Sequence, residues 1–321
     1  MKVTAEQPSK GKAIVNGLSM RTVQPIEDGG KDFDVIISRF ASITEYYERI
    51  EANIDHRVED RIHASFTASF LGRNDIRSLA DVGELRSKKD EKLLRTIDRK
   101  IEELDSELPD PTEIKRSRTF DEFDGDEVDY DRLRSGQEFW HASEKRETTG
   151  VQNVIINIQQ NASGMTDSKS IADRCATAIA LAKKLESAGY GVEVNVFNYN
   201  TNVFDGLRQG SNNRLLTIIP AKTFDQGLDI VGLANLTAPW MFRTYTFADR
   251  AITGLMFGGQ AGYGMGSTVE IDSFAIEQIE NGIDTSTTKV INFGKLCLNS
   301  STALNVARLA IASLETQHEF A

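Results

Sequence analysis

From Val151 onward the chain alternates strand-like and helix-like segments, and that grammar limits the fold more than any other feature of the sequence. VQNVIINIQQ is a β-branched run suited to a strand buried on both faces. SKSIADRCATAIALAKKLESAG follows it, with Ile171, Cys175, Ala178, Ile179, Ala182 and Leu185 on one helical face and Gly189 where a C-terminal cap belongs. YGVEVNVFNYN then alternates Val192, Val194 and Val196 with Glu193 and Asn195, which predicts a second strand exposed on one side or near an edge. Two strands joined by so long a helix form a parallel pair with a right-handed crossover.

The pattern continues to the last residues. RLLTIIPAKTF predicts a third strand, and the long apolar stretch DQGLDIVGLANLTAPWMFRTYTFADRAITGLMF predicts helix broken near Pro239. EIDSFAIEQIENG predicts a short helix, TKVINFGKLCL a fourth strand and SSTALNVARLAIASLETQ a closing helix with a serine cap. Residues 151–321 are therefore expected to form an α/β domain with a doubly wound, mostly parallel sheet.

Charge density divides the chain at the same place. Residues 1–150 hold 25 Lys/Arg and 33 Asp/Glu, against 12 and 15 in the remainder. The first half is thus expected to be charged, mainly helical and surface-rich, with the core in the second. Residues 1–30 are polar and aperiodic, which predicts a flexible arm. Phe33, Val35, Ile36, Ile37, Phe40, Ile43 and Tyr46 recur at three- and four-residue steps, which predicts an amphipathic helix. Between Ser78 and Leu108, helix formers place Leu93, Leu94, Ile97, Ile101 and Leu104 on one stripe, stopped by Pro109 and Pro111. An acidic and aromatic connector, FDEFDGDEVDYDRLRSGQEFWHASEKRETTG, completes the 31–150 region and is expected to pack on the domain after it.

The bulk numbers exclude several classes of function. A net charge of -11 and a pI near 5.0 argue against general affinity for phosphate backbones. Lys88, Lys89, Lys92, Arg95, Arg99 and Lys100 are interleaved with Asp90, Glu91, Asp98, Glu102 and Glu103, so paired charges on a wet helix explain them better than a nucleic-acid face. No apolar run is long enough to span a membrane, MKVTAEQPSKGKAIVNG lacks a signal-peptide core, and Cys175 and Cys297 both sit in apolar segments. A cytoplasmic protein without membrane contact is expected.

No catalytic constellation stands out. The glycines at 258, 259, 262, 264 and 266 follow a predicted helix and lack the Gly-Lys-Ser/Thr ending of a phosphate loop. Registering Gly125 on a calcium-loop glycine puts Phe120, with no oxygen to offer, at the first ligand position. His56 and His63 have no Cys or Glu at zinc spacing beside them.

INIQQNASGM followed by IADRCATAIALAKKLESAGYGVEVNVF resembles the opening of von Willebrand A-like domains, in which a hydrophobic strand ends in Asp-x-Ser-x-Ser-Met before a long helix. Aligned on Met165, Gln160, Ala162 and Gly164 stand where that family carries its Asp and two Ser metal ligands. A hard divalent cation wants carboxylate and hydroxyl oxygens, so the resemblance implies the scaffold without its metal. The whole chain also resembles a group of phage and mobile-element proteins through Asp124, Gly125, Val128, Asp129, Arg132 and Gly136, ahead of an aromatic pair and the first strand.

These readings predict a non-enzymatic protein-interaction module of a phage or mobile element, with no metal or cofactor. Its partner would be a protein met at the carboxyl ends of the strands: Gln160, Asn161, Ser163 and Asp167 after the first, Asn198 and Asn200 after the second, Thr223 after the third. Trp240, Met241, Phe242 and Tyr245 have the composition of an interface centre and are candidate interface aromatics, although packing against the sheet explains them better. The alternatives are a virion or assembly component that self-associates into a homo-oligomer, and a metal- or nucleotide-dependent enzyme.

Overall fold

A computed structural model describes residues 21–28, 31–63, 68–105, 118–121, 127–128, 134–135, 137, 140–143, 153–162, 166–201, 212–256, 267–268, 273–280, 283, 288–294 and 299–319. In the first half, β1 (Arg21–Asp28) and β2 (Lys31–Arg39) precede α1 (Ile43–Asn53), α2 (His56–His63), α3 (Ala68–Leu71), α4 (Leu79–Arg86) and α5 (Glu91–Asp105). Short strands β3 (Arg118–Asp121), β4 (Glu127–Val128) and β5 (Trp140–Ser143) pair antiparallel in the order β3-β5-β4 within the connector. The second half runs β6 (Asn153–Gln159), α6 (Ser168–Ser187), β7 (Gly191–Thr201), β8 (Asn212–Lys222) and α7 (Ile230–Thr237). It continues through α8 (Pro239–Met241), a π-helical turn (Phe242–Thr246), α9 (Phe247–Met256), β9 (Ser267–Thr268), α10 (Ser273–Ile279), β10 (Thr288–Phe293) and α11 (Ser300–Glu319).

One seven-stranded mixed sheet organises the molecule, in the order β1-β2-β8-β7-β6-β10, with β9 paired to the end of β7. β7, β6 and β10 are parallel, as the strand-helix-strand reading requires. β8 runs antiparallel to β7, β2 runs parallel to β8, and β1 closes an antiparallel hairpin with β2, so the parallel part is shorter than expected. Sandwiched between β6 and β8, β7 is an interior strand, and Asn195 and Phe197 on its supposedly exposed side are buried.

Two expectations for the first half are corrected. The segment read as a helix from Phe33 is strand β2, and the helix begins only at Ile43, capped by the Ser42 hydroxyl accepting from the Glu45 N–H at 3.1 Å. Val35, Ile36 and Ile37 are a β-branched run, and Ile36 and Ile37 are both buried although they point to opposite faces. Such two-sided burial erases the alternation that would mark a strand, and the apolar steps then imitate a helix. The arm assigned to residues 1–30 contains strand β1 over Arg21–Asp28; residues 1–20 lie outside the described residues.

The charge boundary near residue 150 does not divide the core. Tyr46 and Ile50 of α1, Val82 of α4, and Leu93, Ile97 and Leu104 of α5 share one apolar cluster with Val154, Ile156 and Ile158 of β6 and with Ile179 and Leu185 of α6. Helical cover is unequal between the two faces. The main cluster takes in α1 to α9 and α11, whereas the smaller one gathers Ile37, Phe197, Tyr199, Leu216 and Ile218 beneath Ala275 and Ile279 of α10. Among the described residues the winding is therefore lopsided rather than evenly double.

From Ser78 to Asp105 the predicted stretch forms two helices, and residues 106–108 lie outside the described residues. Ser78 opens α4 with a reciprocal capping box to Asp81, and Asp90 accepts from the Leu93 N–H at 3.1 Å to open α5 after a break at 87–90.

Candidate functional site

β6 lies between β7 and β10, so the chain leaves it on one side and returns to it on the other. In open α/β sheets the carboxyl end of such a strand is where a crevice opens. Gln160 and Asn161 occupy that point. The Gln160 N–H continues the ladder by donating to the Phe197 carbonyl at 2.9 Å. Asn161 then replaces backbone with side chain: its Nδ2 donates to the Tyr199 carbonyl at 2.7 Å and its Oδ1 accepts from the Tyr199 N–H at 3.0 Å. Its amide thus mimics one more residue of strand.

The neighbouring side chains are tied in similarly, except that Asn198 Oδ1 and Asn200 Nδ2 are buried without a hydrogen-bond partner among the described residues. Gln160 Nε2 donates to the Leu236 carbonyl and its Oε1 accepts from Asn198 Nδ2 at 3.3 Å, while Arg174 donates to the Gln160 carbonyl at 3.0 Å. Asn161 also donates to Asn200 Oδ1 at 3.1 Å. Gln160 and Asn161 are each 1% exposed, Asn198 1% and Asn200 3%. The structure does bring these four predicted residues together, but as a buried polar lock and not as a wet ligand face. A divalent ion does not fit here, because both amide atoms of Gln160 are engaged and Ala162 offers no side-chain oxygen.

The other predicted site residues separate. Asp167 is exposed and caps α6, accepting from the Ser170 N–H at 2.8 Å and hydroxyl at 2.7 Å, and these Ser170 bonds hold its carboxyl below the usual range. Ser163 lies outside the described residues, as do the glycines at 258, 259, 262, 264 and 266, Cys297 and most of the acidic connector. Thr223 is corrected outright: β8 is antiparallel, with Lys222 opposite Val194, so Thr223 sits at the other end of the sheet. Of the two readings of the aromatics, the structure takes core packing over the interface candidate. Trp240, Met241, Phe242 and Tyr245 are 0–2% exposed and belong to the core, with the Tyr245 hydroxyl hydrogen-bonded to Glu51 across the two halves.

An open groove of about 710 Å³ lies beside the lock, where the first turns of α5 and α6 meet the 72–75 turn. Trp240 is the one member of the aromatic group that reaches it, as a wall, with its indole Nε1 donating to Asp90 Oδ2 at 3.0 Å. Asp90 also holds Arg73 at 3.3 Å, and Arg73 pairs with Asp75 at 2.6 Å; this pairing with Asp75 raises the guanidinium pKa. Arg99 reaches Asp173 of α6 at 3.5 Å. Gly72, at φ +75°, turns the chain into the groove where an added Cβ would stand 3.0 Å from Ser168.

The buried Arg243 of the π-helical turn ties this rim together. It donates to the carbonyls of Phe70 and Thr166, and its guanidinium lies 4.1 Å from the Phe70 ring centre. Burial pushes its pKa down to about 10. The groove was missed in the sequence because its walls come from segments a hundred residues apart. One signal was present: Asp90 and Asp167 cap successive packed helices, and each is followed two residues later by a lysine, Lys92 and Lys169.

Among the described residues, no three His, Cys, Asp or Glu side chains are grouped closely enough to hold a metal ion, and no helix is long and apolar enough to cross a membrane. Cys175 is buried and free, and desolvation pushes its thiol up, away from nucleophilic chemistry.

The architecture defines a class: a mixed α/β protein whose charged first half completes the sheet and core of its second. Within that class, the chain belongs to the family described as a domain of unknown function, DUF7192, whose model matches residues 17–307 and so runs across both halves. No curated protein and no solved structure matches the chain.

Proposed function

We propose that this chain is a non-enzymatic protein-interaction module of a phage or mobile element, built on a von Willebrand A-like core, that meets its partner without a metal ion in the cytoplasm of the host. A parallel β6-α6-β7 unit with β6 interior supports the A-like core, as does the A-like run itself, in which Gln160 stands at the place of the metal-binding aspartate. The observation that carries the contact surface is the division of labour at the carboxyl end of β6. The amides of Gln160 and Asn161 are spent on internal bonds, and the open surface beside them is the 710 Å³ groove assembled from both halves. A face that is closed at its centre and open at its flank suits a peptide or loop of a partner lying across the α5 and α6 first turns.

Ala172 lines that groove from α6 and gives a direct test. Ala172→Arg would fill the groove while leaving the buried lock intact. A partner retained by the tagged full-length chain should be lost from the variant, with the thermal unfolding transition little changed. Undiminished retention by a folded variant overturns this assignment of the surface.

A further inference from the structure

We infer that the occupant of the groove is an acidic peptide segment of the partner protein, gripped by Lys89, Lys92 and Lys169. This rests on the interaction reading above and adds the chemistry of the partner. The charges lining the groove are Arg73, Lys89, Lys92, Arg99 and Lys169 against Asp75, Asp90, Glu91 and Asp173. Arg73 takes Asp75 and Asp90, and Arg99 takes Asp173. What remains is three exposed lysines, with no ion pair among the described residues, against Glu91 as the lining carboxylate left over. The chain carries a net charge of -11, so a patch with an excess of unpaired cations runs against its overall balance.

The placement of two of these lysines is locally unfavourable. Lys92 is the second residue of the 15-residue α5, and Lys169 the second of the 20-residue α6. The first turn of a helix carries partial positive charge, which favours anions and disfavours cations. Breaking that rule once is unremarkable on a surface. Two neighbouring helices break it at the same groove, and among the described residues neither lysine has a carboxylate partner that would explain the choice. Local rules are broken where function asks for something else, and an incoming carboxylate is what would relieve both sites together.

The pairing inside the groove also favours a peptide over a compact anion. The floor keeps Asp90, bound to Arg73 and the Trp240 indole, and Asp173, bound to Arg99, so a phosphate lodged deep between them would meet two carboxylates. Carboxylates spaced along an extended chain can reach the lysine rim from above. Asn74, Thr96 and Ser168 add neutral polar groups along the same path for the peptide backbone.

The experiment uses the full chain and a labelled peptide of alternating glutamate and glycine, followed by fluorescence anisotropy. Trp240 emission is the second readout, since its indole forms the wall. The expected result is binding that weakens as salt rises, falls about tenfold or more in the double variant Lys92→Glu with Lys169→Glu, and survives Lys92→Arg with Lys169→Arg. Circular dichroism confirms that each variant is folded. Equal binding of a lysine-glycine peptide, unaltered binding by the double glutamate variant, or tighter binding of a short single-stranded DNA overturns the inference. So does displacement of the peptide by an equal concentration of inorganic phosphate, which would mark a small-anion site. If the glutamate peptide fails while Ala172→Arg still abolishes partner retention, the acidic chemistry is wrong and the groove assignment stands.

Discussion

Asn161 spends its side-chain amide on extending the β6–β7 ladder by one step at the carboxyl end of the sheet. A polar run after a buried strand marks the carboxyl end of a sheet, and Gln160, Asn161, Asn198 and Asn200 do converge there. Their burial depends on the helices above, which a linear pattern cannot report. Substituting Asn161 with Leu removes the two bonds to Tyr199 and the one to Asn200, stripping a buried N–H and a buried carbonyl of this partner. The expected loss is about 2–4 kcal/mol, seen as a lower urea midpoint with an unchanged slope. Asn161→Asp separates the two bonds, since a carboxylate still accepts from the Tyr199 N–H but cannot donate to its carbonyl. A neutral Asn161→Leu would mean that the lock is not structural.

Asp167 gives a pH-dependent counterpart at the same scale. Its Ser170 hydrogen bonds lower its folded pKa, so the cap is fully stabilising above the ordinary carboxylate value, about 4, and its contribution disappears as pH falls through the lowered value. Asp167→Ala should therefore cost about 1 kcal/mol near neutral pH, with wild type and variant converging in strong acid. Urea unfolding across that range measures the gap. A gap independent of pH would assign the loss to something other than the ionised cap.

At the scale of elements, the helices and strands of the second half were legible, and the boundary glycine of α6 is a fair example. Gly189 takes φ +89° with nothing within 4 Å of an added Cβ, so its role is purely conformational. Gly72 combines φ +75° with the close approach to Ser168 at the groove. Gly189→Ala should cost about 1 kcal/mol, whereas Gly72→Ala should cost more and also shift Trp240 emission, because the chain turn and the first turn of α6 must move apart. Equal costs with unchanged emission would show that the 72–75 turn does not set the shape of the groove.

β2 and β7 mark where pattern reading fails at this scale. Both are interior strands, and their sequence signals point in opposite wrong directions: β2 looks helical because both faces are apolar, and β7 looks exposed because Glu193 and Asn195 lie on a face that is buried. Asn195 is accommodated by donating to Asn157 of β6 at 3.3 Å and to Glu193 at 3.0 Å, so polarity here is satisfied within the sheet. The sheet order that explains both strands depends on β2 reaching β8 across some 180 residues, and no local window contains that information.

The whole molecule turns on that long-range pairing. Charge density suggested a boundary near residue 150, yet charge reports what faces water and says little about what lies beneath it. β2 supplies the neighbour of β8, α1 supplies Tyr46 and Ile50 to the main cluster, and Leu93 and Ile97 of α5 pack in the same cluster as α6. Between the halves run directional bonds as well: Asn235 donates to the Arg86 and Lys88 carbonyls at 2.9 and 2.8 Å, and Trp240 to Asp90. A fragment spanning residues 151–321 would expose the edge of β8 and the apolar faces of α6, α7 and α9, while leaving Asn235 without these acceptors. It should retain helical circular dichroism, bind a hydrophobic dye and melt without a sharp transition, whereas the full chain unfolds cooperatively in one step. Adding residues 1–105 as a separate chain should restore a cooperative transition if the halves are parts of one core. A fragment that melts sharply by itself and ignores the first half would restore residue 150 as a true domain boundary, and the groove would then be an interface between two independent units.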